Sequence, residues 1–457
     1  MTAHAPADDA RLALKAAVWD AIERDGAATT AFGADIFAHP ELGFCEERTA
    51  TQVAQALRDL GLPVTEGLAR TGVRAELRGA KPGPTLCILG ELDALPVPGH
   101  PHADPQTAAA HACGHNAQLA HLVAVARAMC TTGAIEQLAG RIVLLAVPAE
   151  EYVDLEWRSA LARSGQIEFL GGKPELVRLG AFDDIDLAMM IHASGTPGDH
   201  PLSINWDYNG FIAKRIRFTG TGAHAGISPD RGVNALNAAT LALSAVHLAR
   251  ETFRDEDRVR VHPIITHGGS AINIVPDDVR LETFVRGATL AAIADAADKV
   301  DRAMQAGALA VGADVVIETL PGYLPLIMDR GLGAHFRANA QTLVGTHNWA
   351  EAPVCNACTD AGDLSAIMPM LHPNHGGCTG FAHTADFAIV DAHRAYVTPS
   401  KALAGTVVDL LFGDARGARD ILSAFVPTLT RDGYLAHMRA LTTSKRYSYR
   451  RAPQPAE

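Results

Sequence analysis

Cys113 and His115 are separated only by Gly114 in the segment HACGHN. A thiolate and an imidazole are donors suited to Zn²⁺, and a thiolate can also bridge two ions. The glycine adds no bulk between them. Further along, Glu150 and Glu151 stand together in PAEEY, His192 closes MMIHAS and His383 lies in FAHTAD. Donors of these types in this order suit a two-metal centre that activates water. Taken singly they have plainer readings, since a cysteine at the start of a helix is more often a packed small residue. A single histidine is more often a hydrogen-bonded structural one. Taken together, their spacing and the strand-end context reverse those odds.

The elements that must position these residues are legible. RIVLLAVPAEE reads as a buried strand that stops at Pro148 and delivers both glutamates, and DLAMMIHAS delivers His192 in the same way. TLCILGELDALP is a third such run and ends in Glu91 and Asp93. Open α/β sheets build their sites beyond the carboxyl ends of their strands. After HACGHN, the segment AQLAHLVAVARAMC has helical spacing, which predicts Asn116 as the N-cap and the ligands at the helix entrance.

Between His192 and the segment CTDAGDLS the pattern changes. FIAKRIRFTG, DRVRVHPIITHGG, DDVRLETFVRG and ADVVIETLPG alternate like half-buried strands, with two helical stretches among them. The order β-α-β-β-α-β is the ferredoxin-like motif. The predicted fold class is therefore α/β with two domains. A discontinuous metal-binding catalytic domain takes residues 1–207 and 323–457, and the inserted domain takes 208–322. LEWRSALARSGQIEFLGGKPELVRLG, after the glutamate pair, reads as a helix and loop of unassigned role, and SKRYSYRRAPQPAE as a loosely ordered terminus.

Composition narrows the partners. The 51 acidic residues outnumber 39 basic ones, a net charge of −12, which argues against nucleic acid or an anionic membrane and for small molecules. No apolar run approaches the ~18 residues of a membrane span, and the first residues lack a leader pattern, so a cytoplasmic protein is expected. Seven scattered cysteines fit reduced thiols better than a disulfide framework.

GELDALP, HACGHN, PAEE, the strand-end histidine, GTGAHAG, GGSAINIVPD and CTDAGDLS occur in an order that resembles the metal-dependent amidohydrolases. This aminoacylase-type peptidase family includes auxin-conjugate, hippurate and aminobenzoyl-glutamate hydrolases. The likeness spans roughly residues 30 to 410, and HACGHN with TDAGDLS is most similar to the branch of aminobenzoyl-glutamate hydrolases and Xaa-Arg dipeptidases.

The resemblance implies a zinc-peptidase-like α/β/α catalytic domain, an inserted domain acting as lid and dimerisation module, and a homodimer. It implies two divalent ions, Zn²⁺ or Mn²⁺, held by Cys113, His115, Glu151, His192 and His383. Glu150 would be the general base, and Asp93 would orient a histidine ligand. His224 would donate to the oxyanion from the partner subunit. Asn273 and Arg286 would bind substrate, a guanidinium being suited to a carboxylate. The substrate would be an N-acyl or N-aroyl amino acid, such as an aminobenzoyl-glutamate conjugate, or a dipeptide. Glu91 stands where related peptidases carry a metal-binding histidine and is left outside the ligand set. Asn116, where much of the family has aspartate, is assigned no chemistry, and Asp360 and Asp363 are candidates for capping a turn or helix. A carbamoyl- or ureido-acid hydrolase is disfavoured, because those relatives carry a histidine near Glu91 and an aspartate for Cys113. A non-catalytic metal-binding homologue is disfavoured by the intact donor set.

Overall fold

Lys81–Glu91 and Ala139–Val147 carry near-continuous apolar runs, as strands covered on both faces must. In the computed structural model, which describes residues 5–194 and 200–450, they pair in parallel at the centre of a six-stranded sheet. The order is Val64–Leu68, Gly72–Arg78, Ala139–Val147, Lys81–Glu91, Leu187–Met189, Met370–Leu371. The strands from Ala139–Val147 to Met370–Leu371 are parallel, and the other two add an antiparallel edge. The helix His115–Thr131 is buried nearly all round, which its apolar and alanine-rich sequence permits.

DLAMMIHAS forms two short strands instead of one. Leu187–Met189 stays in the main sheet, while His192–Ala193 joins a second sheet beside Asn374–His375. His192 is thus held at the seam between two sheets.

The described residues group into two compact units. The first takes in Met1–Asp207, Ile327–Cys355 and Asp363–Thr430; the second takes in Tyr208–Leu326 with Asn356–Gly362 and the chain from Arg431. The second unit contains the expected β-α-β-β-α-β order. Its core is built from the inward residues of its strands and of the helices Ala235–Ala249 and Leu290–Val311, among them Phe218, Leu281, Val300, Met304 and Ile317. Both helices are capped by side chains, from Asn234 and Thr289. DRVRVHPIITHGG is broken into Arg260–Val261 and Ile264–His267, because Pro263 has no N–H for the ladder.

The C-terminal segment corrects the expectation of a loose terminus. Thr443–Ser448 is a strand paired with Asp314–Pro321, so it extends the sheet of the second unit. Alternation is weak there, and the hydrogen bonds that order it come from a strand more than a hundred residues away. The helix Arg431–Leu441 belongs to the same unit, although the sequence division gave both segments to the catalytic domain. Residues 451–457 lie outside the described residues.

Candidate metal centre

Gly114 has a left-handed backbone, φ 80°, and caps the helix that begins at His115. A Cβ there would lie 2.4 Å from Cβ of Ala193, so only glycine lets the Cys113–His115 turn pack against the strand that carries His192. Asn116 is therefore not the N-cap. It sits inside the helix, buried, and its amide donates to the Gly33 carbonyl and the Tyr396 hydroxyl, both at 3.0 Å.

Nδ1 of His115 lies 2.8 Å from the Asp93 backbone carbonyl and 3.4 Å from the Asp93 carboxylate. A carbonyl can only accept, so Nδ1 carries the proton and Nε2 is left as the ligand atom.

Successive residues of an extended strand point opposite ways, which would send Glu150 and Glu151 apart. The chain turns at Ala149, a buried non-glycine residue at φ 53°, and both glutamates reach the donor cluster, Glu150 at 3.9 Å from His115 and Glu151 at 3.1 Å from His383. Two buried carboxylates hold the resulting turn. Glu46 accepts the Ala149 N–H at 2.8 Å, and Asp93 accepts the Glu151 N–H at 2.9 Å. Both glutamates are buried.

His192 donates Nδ1–H to the Ala193 carbonyl at 2.7 Å, and its Nε2 stands 3.4 Å from Cys113 Sγ. His383 also has a left-handed backbone, φ 65°, and its N–H is anchored on the Ala112 carbonyl at 2.8 Å. Its Nε2 lies 3.4 Å from the same sulfur and 3.1 Å from Glu151 Oε1. Two donor sets share Cys113, one with His115 and His192 and one with Glu151 and His383, and a third group, Glu91 with His115 and Glu150, adjoins them, the ligand atoms of each lying within 4.8 Å of one another.

These residues fit divalent ions. His115 Nε2 and Glu151 Oε1 are buried, and their neighbours, Glu91 and His383 at 3.1 Å, stand at ion-pair distance without hydrogen-bond geometry. Orphaned polar atoms in a core are costly unless something else occupies them. Burial and Glu151 push the Cys113 thiol up, but His192, His383 and His115 outweigh them and bring it down to about 5, so the thiolate form is favoured. His383 is raised to about 11, first by the Glu151 charge, with burial opposing.

Three neighbours escaped the sequence reading. Glu46, in the segment CEE, is fully buried, and burial followed by the Asp93 charge pushes it up to about 7. Lys173, from the unassigned stretch, is fully buried with Nζ 2.6 Å from Glu91. Gln118 donates to the same carboxylate at 2.8 Å, which stands 3.1 Å from His115 Nε2. Nothing in the local pattern distinguishes these residues from solvated ones.

The remaining candidates belong to the second unit, except Asp363, which is buried in the first. His224 is exposed in its turn, and its Nδ1 accepts the N–H groups of Gly226 and Ile227 at 3.1 Å. Asn273 is its neighbour, with its carbonyl bonded to the Ala225 N–H at 2.9 Å. Arg286 lies near the far end of the strand Asp278–Gly287, over the Phe284 ring. Asp360 is buried. Among the described residues no helix is long and apolar enough to cross a membrane.

Known proteins resemble this chain in sequence and fold. Residues 209–311 match the M20 peptidase dimerisation domain family. The Xaa-Arg dipeptidase of Mus musculus is 29% identical over 429 residues, covering 87% of this chain and 88% of that protein. A p-aminobenzoyl-glutamate hydrolase from Escherichia coli K12 is 29% identical over 299 residues, 64% of this chain and 57% of the matched one. Among solved structures, the YXEP protein of Bacillus subtilis, a dinuclear metal binding peptidase from the M20 family, aligns with a TM-score of 0.62 at 19% identity, covering 85% of this chain and 99% of that one. Fold, donor chemistry and relatives define an enzyme that hydrolyses amide bonds with divalent metal. Residues 209–311 carry the M20 dimerisation domain, and the chain as a whole resembles the metal-dependent amidohydrolases of that peptidase family.

Proposed function

We propose that this enzyme cleaves the amide of N-acyl or N-aroyl amino acids, aminobenzoyl-glutamate-like conjugates among them, or of dipeptides, and that it works as a homodimer. One observation carries the reading: a single sulfur, Cys113 Sγ, stands 3.4 Å from Nε2 of both His192 and His383, so it serves both donor sets. Each set would hold one ion, Zn²⁺ or Mn²⁺, and the pair when bound polarises the amide carbonyl and acidifies a water. Glu150, outside both sets, takes the proton of that water on its carboxylate and passes it to the leaving amine. Its carboxylate lies 3.9 Å from His115 Nε2, a proximity to the donor cluster that supports this role. Asp93 fixes the His115 tautomer through its carbonyl and the Glu151 backbone through its carboxylate.

His224 would donate to the oxyanion. With Nδ1 accepting two backbone amides, Nε2 carries the proton and faces outward as a donor. Arg286 would take the substrate carboxylate, and Asn273 a second polar group. Asp278 and Arg286 are separated along one strand by about 27 Å at 3.4 Å per residue, so His224 and Asn273 stand far from Arg286 within one lid. That separation supports assigning them to the active sites of different subunits. Thr443–Ser448 covers one side of the lid sheet, leaving Ile264–His267 as an edge with exposed Ile264 and Ile265 for a second copy. A cytoplasmic location is supported by seven free cysteines, one of them a thiolate ligand.

Chelation should abolish hydrolysis across a panel of N-acyl amino acids and dipeptides, and Mn²⁺ or Zn²⁺ should restore it. Full turnover by protein shown to be metal-free would refute the mechanism.

A further inference from the structure

We propose that Glu46 is a positioning residue for the catalytic turn: it holds the Ala149 N–H, and thereby sets the directions of both Glu150 and Glu151. The inference rests on the roles given to those two glutamates.

Glu46 occupies the N-cap position of the helix Glu47–Arg58, yet its side chain makes no capping bond. It turns inward instead. One carboxylate oxygen accepts the Ala149 N–H at 2.8 Å, and the other accepts the Thr71 hydroxyl at 2.6 Å. Thr71 precedes the strand Gly72–Arg78, which pairs with Ala139–Val147, so the carboxylate spans from one strand's start to its neighbour's end. Full burial of an acid is unfavourable for stability, and the helix does not call on this side chain as a cap, since Glu41 accepts the Arg48 and Thr49 N–H groups at 3.0 and 2.8 Å.

What the carboxylate holds explains its burial. Ala149 is buried at φ 53°, a region where an alanine costs roughly 1–2 kcal/mol. Extended backbone at this position would carry Glu150 and Glu151 onward along the direction of the strand. Asp93 grips the far end of the same turn through the Glu151 N–H, and the Ala149 carbonyl accepts the Gly172 N–H at 3.1 Å. Glu46 supplies the hold on the near end. It belongs to none of the donor groups, and acts through the backbone.

The test compares hydrogen-bonding reach with charge. Glu46→Gln keeps the length, accepts the Ala149 N–H through its carbonyl and donates to Thr71 Oγ1. Glu46→Asp keeps the charge and falls one methylene short; Glu46→Ala loses both. Each variant is titrated with Mn²⁺ alone, without substrate, and then assayed for kcat and KM. The glutamine variant should bind two ions with wild-type affinity. The alanine variant should lose one ion at limiting metal, its affinity falling ~10–100-fold, and kcat should fall on the order of 10²-fold with KM little changed. Should the alanine variant not fold, the aspartate variant decides, since it must be worse than the glutamine variant in both readouts. Wild-type metal affinity in the alanine variant, or an aspartate variant better than the glutamine one, would overturn the proposal. Because metal binding is read without substrate, this result is independent of whether the hydrolase assignment holds.

Discussion

Gly114→Ala should separate the two demands that the structure makes on the turn between Cys113 and His115. The first is conformational. At φ 80° an alanine costs about 1–2 kcal/mol relative to glycine. The second is steric, because the new Cβ would lie 2.4 Å from the Cβ of Ala193, well inside contact distance, and overpacking a core typically costs roughly 1–3 kcal/mol. Together the variant should lose about 2–5 kcal/mol in urea unfolding of the metal-free protein. The clash also pushes Cys113 and His115 away from His192, so the ion held by those three donors should bind much more weakly than the ion held with Glu151 and His383. Adding Ala193→Gly removes the steric part alone and should recover roughly 1–3 kcal/mol, less about 0.5–1 for the extra glycine, together with most of the metal affinity. Calorimetric titration with Mn²⁺ and parallel urea curves measure both quantities. If Gly114→Ala kept both ions at full affinity and lost under 1 kcal/mol, the packing of this turn against Ala193 would not be what positions the donors. If the double variant were no better than the single, backbone strain would account for the whole effect.

Glu150→Gln should retain both ions and lose ~10²–10⁴ in kcat, while Glu151→Gln should lose metal first; the reverse pattern would exchange their roles. Burial opposes ionisation of Asp314, but hydrogen bonds from Arg450 and Ser448 outweigh it and hold it at about 2. Its contribution is therefore fully present above about pH 4 and lost as pH falls toward 2, and with the arginine partly in solvent it is worth about 1 kcal/mol. Asp314→Asn should remove that acid-side dependence and raise hydrogen exchange in Thr443–Ser448; unchanged exchange would mean the strand is held by its ladder alone. Mixing inactive Glu150→Gln subunits with inactive His224→Ala subunits should restore activity once they exchange, because some mixed dimers contain one site with both residues intact. No recovery despite proven exchange would confine His224 to its own chain.

The sequence by itself determined the donor types, their order and the strands that end in them. Those follow from local rules, since an apolar run such as IVLLAV must be buried and Pro148 must stop it. The β-α-β-β-α-β pattern was legible for the same reason, the period of its apolar residues being set within each element. Tertiary structure alone decided which atoms meet. His383 reaches Cys113 from a left-handed backbone that bonds to the Ala112 carbonyl, and the chain turns at the left-handed Ala149 just before Glu150 and Glu151. Glu46, Lys173 and Gln118 were silent in the sequence, where a charged or polar side chain reads as solvated by default. Asn116 and the Thr443–Ser448 strand were misjudged for a related reason: a cap and an edge strand are defined by the backbone groups opposite them, and those groups come from distant parts of the chain.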